Sequence, residues 1–103
     1  MVIIWLPEAQ RHLKEIYLFY KANRSLKAAI KVRQELFTSV TPLKKFSQMA
    51  PIEIFSTKTT QEYHALTVGK YFKIVYFIDN ERIYISAIFD CRQDPKVNEQ
   101  KIK

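Results

Sequence analysis

The chain opens on an unbroken apolar run, Val2-Ile3-Ile4-Trp5, which reads as a short strand, apolar throughout and so a candidate for burial on both faces. Pro7 follows where a first helical turn tolerates its missing N–H, and Glu8 sets negative charge at the positive end of the helix dipole. Ala9, Leu13, Ile16, Tyr17 and Tyr20 then recur at helical spacing while Arg11, Lys14 and Lys21 point elsewhere, predicting an amphipathic helix from about Pro7 to Ala22. Asn23-Arg24-Ser25 breaks the pattern, and Ser25 is a suitable N-cap for a second helix with Ala29, Val32, Leu36, Val40 and Leu43 on one stripe. Pro42 interrupts that stripe: either the helix kinks there or Thr41 caps a new short turn with Pro42 at its first position. A short connection between two amphipathic helices implies an antiparallel helical hairpin.

After Pro51 the period changes to that of strands. Ile52–Phe55 and Glu62–Val68 are β-like, the second alternating His64, Leu66 and Val68 against Tyr63, Ala65 and Thr67, with a polar loop at Thr57–Thr60 between them. Tyr71–Asp79 and Arg82–Asp90 are rich in aromatic and β-branched residues and flank Asn80-Glu81. A two-residue turn there sets Asp79 opposite Arg82 as an opposite-charge pair; Ile78 opposite Ile83, Tyr76 opposite Ile85, Ile74 opposite Ala87 and Phe72 opposite Phe89 then make one wholly apolar face. Phe77, Val75, Lys73 and Tyr71 then meet Tyr84, Ser86, Ile88 and Asp90 on the other face. Glutamate disfavours the positive φ of a type I′ turn, so a longer loop is the alternative. The order of elements predicts an α+β fold: a short N-terminal strand, an antiparallel helical hairpin, then a 3–4-stranded antiparallel sheet packed on the helices. Within one domain over 1–103, residues 1–50 supply the strand and hairpin, 51–95 the sheet and 96–103 a polar tail.

Composition narrows the functional classes. The single glycine, Gly69, excludes any Gly-rich phosphate loop. The one cysteine, Cys91, cannot form an internal disulfide, which fits a reducing compartment. The N-terminal run lacks a basic flank and cleavage site, and no apolar run approaches the ~20 residues of a membrane span, so a cytoplasmic protein is expected. A net charge of +7 on 103 residues favours polyanions: RNA, DNA, a ribosome or an acidic protein. Charge that serves only solubility is the plainer alternative.

Candidate chemistry gathers at the end of the last hairpin. Continued alternation past Asp90 would carry Arg92 to the side of Lys73 and Tyr71, and a tight turn at Gly69 would bring His64 near Lys73. Lys70 lies in that turn and Lys58 precedes the strand. A forked guanidinium, ammonium groups and a histidine titrating near ~6.5 are what an RNase using a ribose hydroxyl as nucleophile needs. Solvated charges and a structural histidine are the plainer reading of the same residues. His12, His64 and Cys91 have no partners at metal-ligand spacing, so neither a metal nor another cofactor is expected.

The residues quoted so far also resemble a known family. Trp5, Ala9, Leu13, Ile16 and Tyr20, then Leu43-Lys44-Lys45-Phe46, Gly69-Lys70-Tyr71-Phe72-Lys73-Ile74-Val75-Tyr76 and Ile88-Phe89-Asp90-Cys91-Arg92-Gln93-Asp94-Pro95 are similar, in order and spacing, to the RelE/ParE toxins of type II toxin–antitoxin pairs. The resemblance spans nearly the whole chain as a single toxin domain. It implies a bacterial growth inhibitor, of the kind that serves plasmid stabilisation, neutralised by a cognate antitoxin that alone contacts operator DNA. RelE-like members cleave mRNA on the ribosome without a metal; ParE-like members inhibit DNA gyrase and lack that catalytic set. By position, Lys73 falls where the RNases use a strand arginine and Arg92 where they use the arginine after the last strand. Their late tyrosine is missing, Val97, Asn98 and Glu99 standing in that neighbourhood, with His64 the substitute for proton transfer. Lys70, Tyr71 and Lys58 would then bind phosphate or target. The Arg-Gln-Asp-Pro ending resembles the ParE branch, so gyrase inhibition is favoured over a ribosome-dependent endoribonuclease, with a noncatalytic antitoxin-binding relative as the third reading.

Overall fold

The computed structural model describes residues 1–53 and 61–91. The loop expected at Thr57–Thr60, the far half of the strand expected over Ile52–Phe55, and the chain from Arg92 onward lie outside the described residues. The elements are β1 (Val2–Trp5), α1 (Pro7–Asn23), α2 (Leu26–Ser39), a 3-10 turn (Thr41–Lys44), β2 (Ile52–Glu53), β3 (Tyr63–Val68), β4 (Phe72–Asp79) and β5 (Arg82–Asp90). They form an α+β fold whose sheet has the order β1-β5-β4-β3-β2.

The sheet has five strands rather than three or four because the N-terminal strand joins it. β1 pairs parallel to β5, from Val2 opposite Arg82 to Trp5 opposite Ile85, and every other pair is antiparallel. Its position at the edge, with Val2 62% exposed, replaces the expectation of a strand buried on both faces.

The helices begin and end where the local chemistry directs. Pro7 opens α1, whose last turn closes on bonds from the Arg24 and Ser25 N–H groups to the Tyr20 carbonyl. The Ser25 hydroxyl accepts the Ala28 N–H at 3.0 Å and starts α2 after a two-residue connection. Pro42 stops α2 and seats the 3-10 turn, but Val40, not Thr41, is the flanking residue. The Val40 carbonyl accepts the Leu43 N–H, a backbone bond that needs no side-chain cap.

Asn80 and Glu81, at φ 49° and 61°, make the tight turn, with the paired positive angles that mark type I′. The expected register holds from Asp79 opposite Arg82 to Tyr76 opposite Ile85, then shifts by one residue. Val75 pairs with Ala87, Ile74 with Ile88, Lys73 with Phe89 and Phe72 with Asp90, so Ser86 is the extra residue of a β-bulge. The pairings of Ile74 with Ala87 and Phe72 with Phe89 are thereby corrected. The bulge lets Ile83, Ile85 and Ile88 all face the helices, where they join Phe72, Ile74 and Tyr76 in the main core. Ala87 and Phe89 turn to the other face and bury with Val75 against Tyr63.

One buried polar contact joins the layers. The Ile88 N–H donates to His12 Nδ1 at 3.1 Å, on a stretch of β5 beyond the last pairing with β1. The Leu6 N–H donates to the Ile85 carbonyl, after which the chain rises into α1 and presents His12 where β1 has left off. His12 is 1% exposed, and its Nε2 stands 3.2 Å from a Glu8 carboxylate oxygen one helical turn earlier.

Glu81→Gly is expected to raise stability by about 1 kcal/mol by removing the Cβ penalty at positive φ, measured as a higher urea midpoint with unchanged slope. His12→Ala is expected to lose about 2 kcal/mol or more, since a buried N–H left without an acceptor costs about 1–3 kcal/mol before any cavity. Wild-type stability in His12→Ala would refute the role given to this bond.

Candidate functional site

The β3–β4 connection has three residues, Gly69, Lys70 and Tyr71, between the paired Val68 and Phe72. Gly69 takes φ 60°, the left-handed region that favours glycine. The turn thereby presents Lys70 and Tyr71 beside α2, and the Cys91 N–H donates to the Tyr71 carbonyl, tying the end of β5 to it. Between turn and helix lies a cavity of about 260 Å³ with Val32, Leu36, Val68 and Phe72 among its apolar walls. Lys31, Lys70 and Glu35 carry charge around it, and Tyr20 and Tyr71 complete it. Among the described residues its lining holds two lysines and one glutamate, and neither histidine nor cysteine.

The structure separates two members of the predicted basic cluster, Lys73 and His64. Lys73 pairs with Thr67, not with the neighbourhood of His64, and its ammonium donates to Glu53 Oε1 at 3.0 Å. His64 pairs with Tyr76, three positions away and on the opposite face. There its ring stacks on Tyr76 at 5.0 Å and its Nδ1–H donates to the Ala50 carbonyl at 2.8 Å. Asp90, by pairing with Phe72, shares the helix-facing side rather than the side of Lys73. Lys58 and Arg92 lie outside the described residues. Among those described, no group of His, Cys, Asp and Glu side chains could hold a metal.

His64 and Tyr76 together fasten the segment after α2. The Tyr76 hydroxyl donates to the Ser47 carbonyl at 2.8 Å, and the Ala65 N–H donates to the Pro51 carbonyl at 3.0 Å. Burial pushes the Tyr76 phenol above its ordinary value of 10.0, opposed in part by the Ala50 backbone. At the far end of the fold, the Arg11 guanidinium bridges Glu8 and Glu15 and holds the Glu8 carboxyl below the usual range. His12 is the residue that sequence reasoning passed over. Its signals were a polar position three after Ala9 on the apolar stripe and a glutamate four before it.

The solved structure titled "Chromosomal ParDE TA system from P. aeruginosa" matches this fold with a TM-score of 0.73 at 22% identity, over 87% of this chain and 95% of that one. A comparison with curated proteins finds no match. Residues 3–95 match the family model described as the ParE toxin of type II toxin–antitoxin systems, parDE. The chain belongs to the ParE toxin family.

Tyr76 should ionise above the ordinary tyrosine value in an ultraviolet titration. Because its folded value is raised, its contribution is fully present below the unfolded value near ~10 and is lost as pH rises through the folded one. Tyr76→Phe should therefore lower stability at neutral pH by about 1 kcal/mol and show a shallower decline above pH ~10 than the parent.

Proposed function

We propose that this ParE-type toxin arrests growth by inhibiting DNA gyrase without catalysing a reaction, and that a cognate antitoxin neutralises it. The observation that carries the noncatalytic reading is the separation of Lys73 and His64. One is held in an ion pair with Glu53, the other is stacked and hydrogen-bonded on the opposite sheet face. An RNase needs cations and proton-transfer groups converging on one phosphate, and among the described residues this pair does not converge. The surface at Gly69–Phe72 supports target binding instead, with Lys70 and Tyr71 exposed on it and Lys58 and Arg92 as further candidates. The ParE family match and the missing late tyrosine both favour gyrase over the ribosome.

Purified protein added to gyrase and plasmid DNA should accumulate trapped cleavage complexes while translation in a cell extract continues. The double substitution Lys70→Glu with Tyr71→Ala should weaken this inhibition by roughly tenfold or more, and Lys73→Ala should leave it intact. Cleavage of ribosome-bound mRNA that disappears with Lys73→Ala, with gyrase unaffected, would replace this reading by the endoribonuclease one.

A further inference from the structure

The cavity beside the β3–β4 turn has charges of both signs at its rim. Lys31 and Glu35 stand one helical turn apart on α2, and Lys70 joins them from the turn. The Glu35 carboxylate is carried over Gly69: its Oε1 lies 3.9 Å from the point where a Cβ on that residue would stand. Lys31 precedes Glu35 by four positions, the less favourable order for a helical ion pair. None of these three charges joins an ion pair among the described residues.

Beneath the rim the walls are apolar. Val32, Leu36, Val68 and Phe72 form them, and the Tyr20 ring lies 6.4 Å from that of Phe72. The volume of about 260 Å³ falls just short of the ~300–1,000 Å³ of drug-sized sites, so the cavity calls for a small occupant.

We propose that this cavity binds a free α-amino acid with an apolar side chain, its carboxylate toward Lys31 and Lys70, its ammonium toward Glu35 and its side chain on the apolar walls. Simpler ligands answer only part of this rim. An anion meets Glu35 as a like charge, and a cation meets two lysines. A neutral apolar body takes water from all three charges and gives no partner back. An α-amino acid carries both charges on one carbon, and its side chain supplies apolar area to bury. Inside a polypeptide the same two groups are uncharged amides, so a chain segment does not match the rim. Lys70 and Tyr71 border this cavity and also belong to the surface assigned to the target, so a bound amino acid would mask part of that surface. The binding itself does not rest on the gyrase reading.

Gly69 is the only glycine in the chain, so protein grown on isotope-labelled glycine gives one amide resonance, placed at the cavity mouth. L-leucine or L-phenylalanine should move that resonance saturably, with a Kd on the order of a millimolar for so small a ligand. Isocaproate and phenylpropionate, which lack the ammonium, should bind roughly tenfold or more weakly, as should isoamylamine and phenethylamine, which lack the carboxylate. Glycine and L-aspartate, without an apolar side chain, should also bind more weakly. Glu35→Gln should abolish the preference for the amino acid over its acid analogue, and Lys31→Gln should reduce the preference over the amine. Both positions are exposed, and an unchanged circular dichroism spectrum and Tm would show each variant folded. No saturable shift with either amino acid, equal binding of the acid or amine analogues, or preferences unchanged in the folded variants would each overturn the proposal. The titration contains no gyrase, so its failure and that of the gyrase reading are separate outcomes.

Discussion

The Ile88 N–H must find an acceptor inside the protein, and the fold is arranged so that His12 supplies it. Beyond Ile85 the strand β5 loses its neighbour β1, because the chain leaves the sheet at Leu6 to begin α1. A buried donor at that point would cost the free energy of an unmade hydrogen bond. The imidazole on the second turn of α1 provides the acceptor without another strand, and so fixes how the helical hairpin lies across the sheet. The bulge at Ser86 belongs to the same arrangement, since it turns Ile88 toward the helices.

That bulge also decides what the two sheet faces contain. Without it, Ala87 and Phe89 would enter the main core and Ile88 would stand beside Lys73. With it, three isoleucines of β5 pack under the helices, and Phe89 joins Val75, Ala87 and Tyr63 in a second cluster on the reverse. Tyr63, Phe77 and Tyr84 extend that reverse face as a row of ring contacts, edge-on at 5.6 Å and then stacked at 5.0 Å. The aromatic residues there serve packing across strands.

Polar side chains inside the protein act as fasteners. His64 and Tyr76 hold the carbonyls of Ala50 and Ser47, which brings the end of the helical half onto the sheet. Lys73 and Glu53 tie β4 to the short edge strand β2. The exposed cations stand at the periphery, at the Gly69–Phe72 turn and along the basic helical hairpin. A protein with its cations arranged in this way is built for contact with macromolecules, in keeping with its membership of the ParE toxins.

The sequence alone determined every element whose cause is local. The spacing of Ala9, Leu13, Ile16 and Tyr20 required α1, the Ser25 hydroxyl started α2, Pro42 ended it, and Asn80-Glu81 closed the last hairpin. It also carried the family, through residues spread along most of the chain. Tertiary structure decided the parallel placement of β1, the Ser86 bulge and the separation of His64 from Lys73. Each of these depends on where a distant segment offers a hydrogen-bond partner. The alternation of β4 and β5 is compatible with either register, because Ile88 and Phe89 are both apolar and either can face the core. The acceptor on His12, 76 residues away in sequence, favours the observed one.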